Sequence, residues 1–291
     1  MTKFGRYVAG LSYAGDMLRT AVLQLKKDGP VLCHLSEEKV GDRVGAWFLR
    51  DVFQPRIRLF GKVSAVSVGI DNASVFYHSF PADQSLPRAE RDELIDWELS
   101  HYIAGYVGTE FIKDVHVLSP EPGGKATGLL VVAANRSFVQ NIQSLVRDKK
   151  LELQVIETNF FGATYALGAN YPEAEMKRVL VATLEGDRVD AGVLNRGKLE
   201  RHVCTQVTDQ EGLIRLLGLT AFAGKVDETY LSGAGATHAL VLAARTKLGI
   251  PVEMLNPARK LRLKGRYARK NEFAGLEYRF ASVIGCALRR Q

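Results

Sequence analysis

Two distant stretches of this sequence repeat one order of elements, and that order limits the folds open to the chain. Residues 6–12, 18–25 and 31–35 read as three alternating strands, separated by Tyr13-Ala14-Gly15-Asp16 and by Lys26-Lys27-Asp28-Gly29-Pro30. Residues 178–183, 189–194 and 199–207 read as three more, separated by Leu184-Glu185-Gly186-Asp187 and by Asn195-Arg196-Gly197. Glycine next to aspartate between apolar runs is a hairpin signal, because glycine supplies the positive φ of the turn. Ser12-Tyr13-Ala14-Gly15-Asp16 and Thr183-Leu184-Glu185-Gly186-Asp187 hold equivalent places in the two triplets. A recurring unit of this kind implies two related lobes. Hairpins are common enough that the pattern alone leaves coincidence open.

Between the triplets, residues 63–70 and 74–80 read as strands, followed by a helix over 87–103 with Ser85 as its N-cap. Ile95, Leu99 and Tyr102 fall on one face of that helix, and Glu90, Asp92 and Glu93 suit the positive end of its dipole. Strands at 113–118, 128–134 and 153–156 follow, with helices from Ser137 to Val146 and from Asn159 to Leu167, the latter ended by Gly168. After the second triplet, Thr208-Asp209-Gln210-Glu211 reads as a capping box opening a leucine-rich helix. Tyr230-Leu231-Ser232-Gly233-Ala234-Gly235-Ala236 is a strand running into a glycine turn, with a helix to Leu248 and Gly249 as its C-terminal stop. A last helix is expected over 272–288, with Phe273, Leu276, Phe280, Val283 and Ala287 on one face.

Composition excludes several classes. With 291 residues and 46% apolar side chains the chain can bury a sizeable core. No apolar run approaches the roughly 20 residues of a membrane span, and Met1-Thr2-Lys3-Phe4 opens no signal peptide. Cys33, Cys204 and Cys286 are odd in number and form no C-x-x-C pair, which argues for a reducing compartment and against zinc or a disulfide framework.

The duplicated triplet, the turn at 231–236 and the closing apolar helix together resemble the actin-like ATPase superfamily. Within it, the order of segments is similar to the PilM family of type IV pilus assembly proteins and to the related cytoplasmic region of the type II secretion protein GspL. The best-matching pieces are 91–103 with Lys113-Asp114, 130–145 with 157–167, 231–236, 248–257, and Val283-Ile284-Gly285-Cys286-Ala287-Leu288-Arg289. The resemblance implies a two-lobed α/β fold, a duplicated ribonuclease-H-like unit. Residues 1–170 plus 271–291 would form the first lobe with an inserted subdomain, and 171–270 a reduced second lobe.

The family's nucleotide chemistry requires a D-x-G turn between the first two strands of each lobe. Its aspartate organises Mg²⁺, and its glycine admits the phosphates to backbone N–H groups. Here the two turns read Ser12-Tyr13-Ala14, before Gly15, and Thr183-Leu184-Glu185, before Gly186. Both aspartates are replaced by hydroxyl residues and both glycines by residues with a Cβ. Glu185 would also face a polyanion: like charges about 4 Å apart repel by roughly 4 kcal/mol at an effective dielectric near 20, about three decades of affinity. Only Gly233-Ala234-Gly235, which in the family borders the adenosine, is nearly intact, and helix packing alone would account for it. Asp16 and Asp187 could supply displaced metal ligands, although a hairpin turn accounts for both. From Thr208 to Tyr230 there is room for one helix, where the family inserts a longer subdomain over the cleft. ATP with Mg²⁺ is therefore disfavoured, and the expected cofactor is none.

No GxxxxGK[ST], H-E-x-x-H or G-x-S-x-G motif is present, and His34, His78, His101, His116, His202 and His238 are scattered. Trp47 and Trp97 suit core or interface anchors. The resemblance implies a pseudo-ATPase scaffold, cytoplasmic and peripheral to the inner membrane, binding the cytoplasmic tail of a PilN-like bitopic membrane protein. Its groove would lie between strands 63–80 and the region 87–134. Contact with a motor ATPase and self-association are further partners the family suggests, and a working actin-like ATPase is the enzymatic alternative. Arg259, Lys260, Arg262, Lys264, Arg266, Arg269 and Lys270 form a run without an acid that equals the whole net charge of +7. It reads as a solvated loop or as a patch for anionic lipid or an acidic partner, each charge near an anionic leaflet adding about 1 kcal/mol. Nucleic acid fits poorly, since no aromatic residues interleave to stack on bases.

Overall fold

A computed structural model describes residues 6–39, 63–83, 86–119, 128–264 and 272–289. Trp47, the expected N-cap Ser85, and Arg266, Arg269 and Lys270 of the basic run lie outside them.

Fourteen strands among these residues form three sheets. The first contains β1 (Arg6–Ala14), β2 (Met17–Lys26), β3 (Gly29–Lys39), β4 (Val63–Ile70), β8 (Glu152–Thr158) and β14 (Arg262–Leu263), in the order β14-β3-β2-β1-β4-β8. The second contains β9 (Arg178–Glu185), β10 (Arg188–Asn195), β11 (Lys198–Gln206), β12 (Glu228–Ser232) and β13 (Val252–Met254), in the order β11-β10-β9-β12-β13. A small third sheet, β5-β7-β6, is built from β5 (Val75–Pro81), β6 (Phe111–Leu118) and β7 (Gly128–Asn135).

The first two sheets share a topology. In each, the leading strand pairs antiparallel with the next and parallel with a later one: β1 with β2 and β4, β9 with β10 and β12. Both leading hairpins turn on a glycine–aspartate pair, and Gly15 and Gly186 have the same φ of 61°. The recurrence seen in the sequence is therefore a repeated fold.

Six helices among the described residues cover these sheets: α1 (Arg88–Tyr102), α2 (Arg136–Asp148), α3 (Asn159–Asn170), α4 (Gln210–Gly224), α5 (His238–Leu248) and α6 (Ala281–Leu288). At the centre, α3 and α6 cross between the lobes. A Cβ at Gly285 would lie 1.7 Å from the Gly162 carbonyl oxygen, so the backbones touch at a point only glycine allows. Around the crossing, Phe160, Phe161 and Leu167 join Val179 and Val181 of the second sheet and Leu130 and Val132 of the third in one core.

Several boundaries differ from expectation. Helix α2 is capped by Asn135, whose side chain accepts from the Ser137 amide, and α4 by Asp209 rather than Thr208. Helix α3 continues past Gly168 to Asn170. The expected long final helix is instead a 3₁₀ turn, Glu277–Phe280, leading into the short α6. Its apolar residues serve two cores: Phe273 and Phe280 pack in the first lobe, Leu276 and Tyr278 in the second. One helical face cannot reach both, and Gly275 (φ 78°) turns the chain between them. Strand β14 pairs with Val31 and Leu32, so the chain returns to the first lobe by Arg262 rather than at 271. No described helix is long and apolar enough to cross a membrane.

Candidate functional site

The three turns singled out in the sequence do converge. The ends of β1 and β9 and the glycine turn after β12 meet in the cleft between the lobes, joined by side chains far apart in sequence. Ser12 Oγ donates to Asn159 Oδ1 (2.7 Å), and Asn159 Nδ2 donates to the Tyr13 carbonyl (3.2 Å). The Gly15 amide donates to Asp71 Oδ2 (3.1 Å). Thr183 Oγ1 and Ser232 Oγ share a hydrogen bond of 3.1 Å. These polar groups bind one another.

The decisive group is Arg19 of β2, whose side chain is 2% exposed. Its Nη1 donates across the cleft to Glu185 Oε1 at 2.6 Å, and its Nε donates to Glu37 Oε1 at 2.9 Å. Arg279, before α6, adds a second guanidinium 2.9 Å from the same Glu37 oxygen. Burial opposes the charge on Arg19, but the flanking Glu185 and Glu37 carboxylates more than compensate and raise its pKa. Burial pushes the Glu185 carboxyl above the usual carboxylate range, against the pull of Arg19 and the Ala234 amide. The carboxylate expected to face a polyanion is thus itself the bound anion, and it ties one lobe to the other.

The amides of the glycine turn after β12 are also bonded within the protein. The Gly233 amide donates to the Tyr278 carbonyl (3.1 Å) and the Gly235 amide to the Leu184 carbonyl (2.9 Å). A Cβ at Gly233 would sit 2.3 Å from the Leu184 oxygen, so this turn is glycine-rich because it packs on β9. Asp16 pairs with Lys39 Nζ (2.9 Å), and Asp187 accepts from Gln206 Nε2 (3.2 Å). Among the described residues no three His, Cys, Asp or Glu side chains gather to hold a metal. A nucleotide anion entering here would have to displace Glu185 from Arg19 and break the Gly233 and Gly235 amide bonds.

Solved structures supply the frame. A structure described as the PilM-PilN type IV pilus biogenesis complex matches with a TM-score of 0.74 at 17% identity, covering 99% of each chain. A Bacteroides thetaiotaomicron protein described as having an actin-like ATPase fold and unknown function matches at 0.59, with 16% identity over 89% of this chain and 96% of that one. The chain has the actin-like ATPase fold. The cytoplasmic domain of EpsL, an inner membrane component of the type II secretion system of Vibrio cholerae, matches at 0.51, with 11% identity over 89% of each. No protein-family model matches the sequence, and neither does any curated protein.

On this actin-like frame a second seam joins the third sheet to the second lobe. Tyr77 Oη donates to Asp190 Oδ2 (3.0 Å), and Asp190 also bonds the His202 ring, which packs 4.5 Å from that of Tyr77. Burial raises the Tyr77 pKa well above its ordinary value, so the phenol stays a donor.

Outside the cleft, a groove of about 410 Å³ runs along β8. Its walls are Ile70 and Val75, Ile112 of β6, Val132 and Ala134 of β7, and β8 itself from Leu153 to Thr158. This agrees with the region expected between strands 63–80 and residues 87–134, with β8 as the unforeseen wall. Among the described residues strand β8 is last in its sheet, bonded to β4 on one side. A wider cavity of about 990 Å³, lined by β6 and α3, lies beyond the Arg289–Glu157 ion pair.

Four residues of the basic run, Arg259, Lys260, Arg262 and Lys264, lie among the described residues, and all four are exposed. Arg259 pairs with Glu173 and lies 4.5 Å over the Tyr171 ring. Arg262 Nη1 donates to Asp28 Oδ2 at 2.6 Å, and its Nη2 to the Asp28 and Gly29 carbonyls. The Lys260 and Lys264 amides are bonded to Asn170 Oδ1 and the Leu32 carbonyl. Arg259 and Arg262 therefore pin this segment to the protein, each finding an acid that sequence order kept out of view.

Proposed function

We propose that this chain is a non-catalytic scaffold of a pilus- or secretion-type assembly at the cytoplasmic face of an inner membrane. It holds an extended peptide, the tail of a bitopic membrane partner of PilN type, in the groove along β8. The observation that supports the reading is the buried Arg19–Glu185 ion pair, at the turn where the family resemblance expects phosphate. A protein that closes its nucleotide cleft with buried charge keeps its two-lobed shape without a ligand, and its remaining capacity is to present surfaces.

The groove suits a peptide. Edge strands offer backbone N–H and C=O groups to an added strand, and alternate side chains enter apolar pockets. Here β8 offers the edge while Ile70, Val75, Ile112 and Val132 offer the apolar wall. The resemblance of the fold to a PilM-PilN complex and to the EpsL cytoplasmic domain supports this choice of partner.

The test is a fluorescence-anisotropy titration of the protein with the cytoplasmic tail of a single-span protein encoded beside it. The reading expects saturable binding that Ile112→Asp, at the half-buried groove wall, weakens at least about tenfold, or 1.4 kcal/mol. Binding unaffected by Ile112→Asp, in a variant that melts like the parent, would place the tail elsewhere. Absence of binding would refute the partner.

A further inference from the structure

Where the third sheet meets the second lobe, a cavity of about 410 Å³ opens, within the size range of small-molecule sites. Its walls come from two places in the chain. Asn72, Phe76 and Tyr77 belong to the turn after β4 and to β5, while Arg188, His202 and Cys204 belong to β10 and β11. Arg188 lies opposite Gln206, and Asp190 opposite Cys204. Residues two apart on a strand share a face, so Arg188, Asp190 and Cys204 lie on one face of the second sheet. That face is turned to β5, since Tyr77 Oη donates to Asp190.

Two groups in this wall are unused by the fold. Asn72 is 7% exposed and its side chain bonds the Cys204 thiol, but its Oδ1 has no hydrogen-bond partner among the described residues. Arg188 is half-buried and, among the described residues, forms no hydrogen bond or ion pair. A buried acceptor without a donor and a half-buried cation without an anion each cost stability, and a ligand that supplies both would relieve it. The neighbouring groups are occupied. Asp190 is held by Tyr77 and His202, and the His78 ring by Glu98. Burial pushes the Cys204 thiol up to about 12, so it stays neutral. Asp71 accepts the Gly15 and Ala73 amides and, with Asp190, adds negative potential at Cys204.

This pattern defines a guest. Arg188 calls for an anion and Asn72 Oδ1 for a donor, and the field of Asp71 and Asp190 favours a positive charge on that donor. A polyanion fits poorly, because a single arginine stands against two carboxylates. We infer that the cavity binds a small zwitterion of amino-acid type, its carboxylate on Arg188 and its ammonium on Asn72 Oδ1. The Tyr77 and His202 rings, 4.5 Å apart, join Phe76 and Leu130 around the space for an apolar side chain. The cavity shares only Val75 with the peptide groove, so occupancy of the two is measured separately.

Thermal melting of the full chain with each standard amino acid at millimolar concentration finds the guest, since a ligand of the native state raises the melting temperature. Isothermal titration then compares the amino acid giving the largest rise with its amide and its deaminated acid. Binding should be saturable, and removing either charge from the guest should weaken it at least about tenfold, because the protein group it met is left unpaired. Arg188→Gln should melt like the parent, bind at least about tenfold more weakly, and no longer distinguish the amino acid from its amide. Asn72→Ala should no longer distinguish it from the deaminated acid; the analogues read the same contact in the wild-type chain if that variant does not fold. No rise with any amino acid overturns the inference. So does binding untouched by Arg188→Gln, which puts the guest elsewhere. A deaminated acid that binds as tightly as the amino acid marks a plain anion site and overturns it too.

Discussion

Replacing Arg19 with methionine probes the closed cleft at its most buried point. The substitution keeps most of the aliphatic volume and removes the guanidinium that neutralises Glu185 and Glu37, whose side chains are 9% and 8% exposed. Glu37 retains Arg279 at 2.9 Å, so the cost falls mainly on Glu185, left with the Ala234 amide. An uncompensated buried charge of this kind costs about 3–5 kcal/mol. The penalty depends on pH in a defined sense. Burial already holds the Glu185 pKa above its unfolded value, and losing Arg19 raises it further. Between the two values the folded state binds the additional proton, so stability falls as pH rises through that window. Urea denaturation of Arg19→Met should therefore show a loss that is larger at pH 8 than at pH 5. Glu185→Gln, which leaves Arg19 on Glu37, should cost less, and Arg19→Met/Glu185→Leu should recover stability relative to Arg19→Met alone. A loss below about 1 kcal/mol, the range of exposed ion pairs, or one without pH dependence, would refute the reasoning.

Three other outcomes are expected. Gly285→Ala sets a Cβ against the Gly162 carbonyl at the α3–α6 crossing and should cost about 3 kcal/mol, at the upper end of overpacking, measured by thermal melting against Gly168→Ala, where space is open. Arg262 holds the Asp28 carboxyl down at about 2, so the tie between β14 and the first hairpin should persist above pH 3.8 and be lost as pH falls towards 2; an NMR titration of the Asp28 carboxyl in wild type and Arg262→Gln reads it. Burial raises the Cys33 thiol and pushes those of Cys204 and Cys286 up to about 12. All three should react with a thiol reagent at pH 8 far more slowly in the folded protein than in guanidinium.

The repeated hairpins were legible in the sequence because they are local: two short alternating runs and a glycine–aspartate turn need no distant partner. The convergence of Ser12, Thr183 and Gly233 was implied by the family resemblance, since Gly233 lies outside both hairpins. Arg19 was not legible as a site residue, although a charge inside Leu18-Arg19-Thr20-Ala21-Val22 marked a buried cation. Its partners lie 18 and 166 residues away, and only the closure of the lobes brings them together. The two ion pairs within the basic run were hidden for the same reason, since Glu173 and Asp28 reach Arg259 and Arg262 through tertiary structure. The final helix failed on periodicity itself: Phe273, Leu276 and Phe280 match a helical spacing while packing into two different lobes.

The most direct measurement is the melting temperature of the wild-type chain in millimolar Mg-ATP. If Glu185 and the turn amides occupy the place of the phosphates, the melting curve should coincide with that in Mg²⁺ alone. A ligand that binds the native state at a hundred times its Kd stabilises by about 2.7 kcal/mol. A melting temperature that climbs with Mg-ATP concentration would mean that the cleft opens to nucleotide, and would contradict the account.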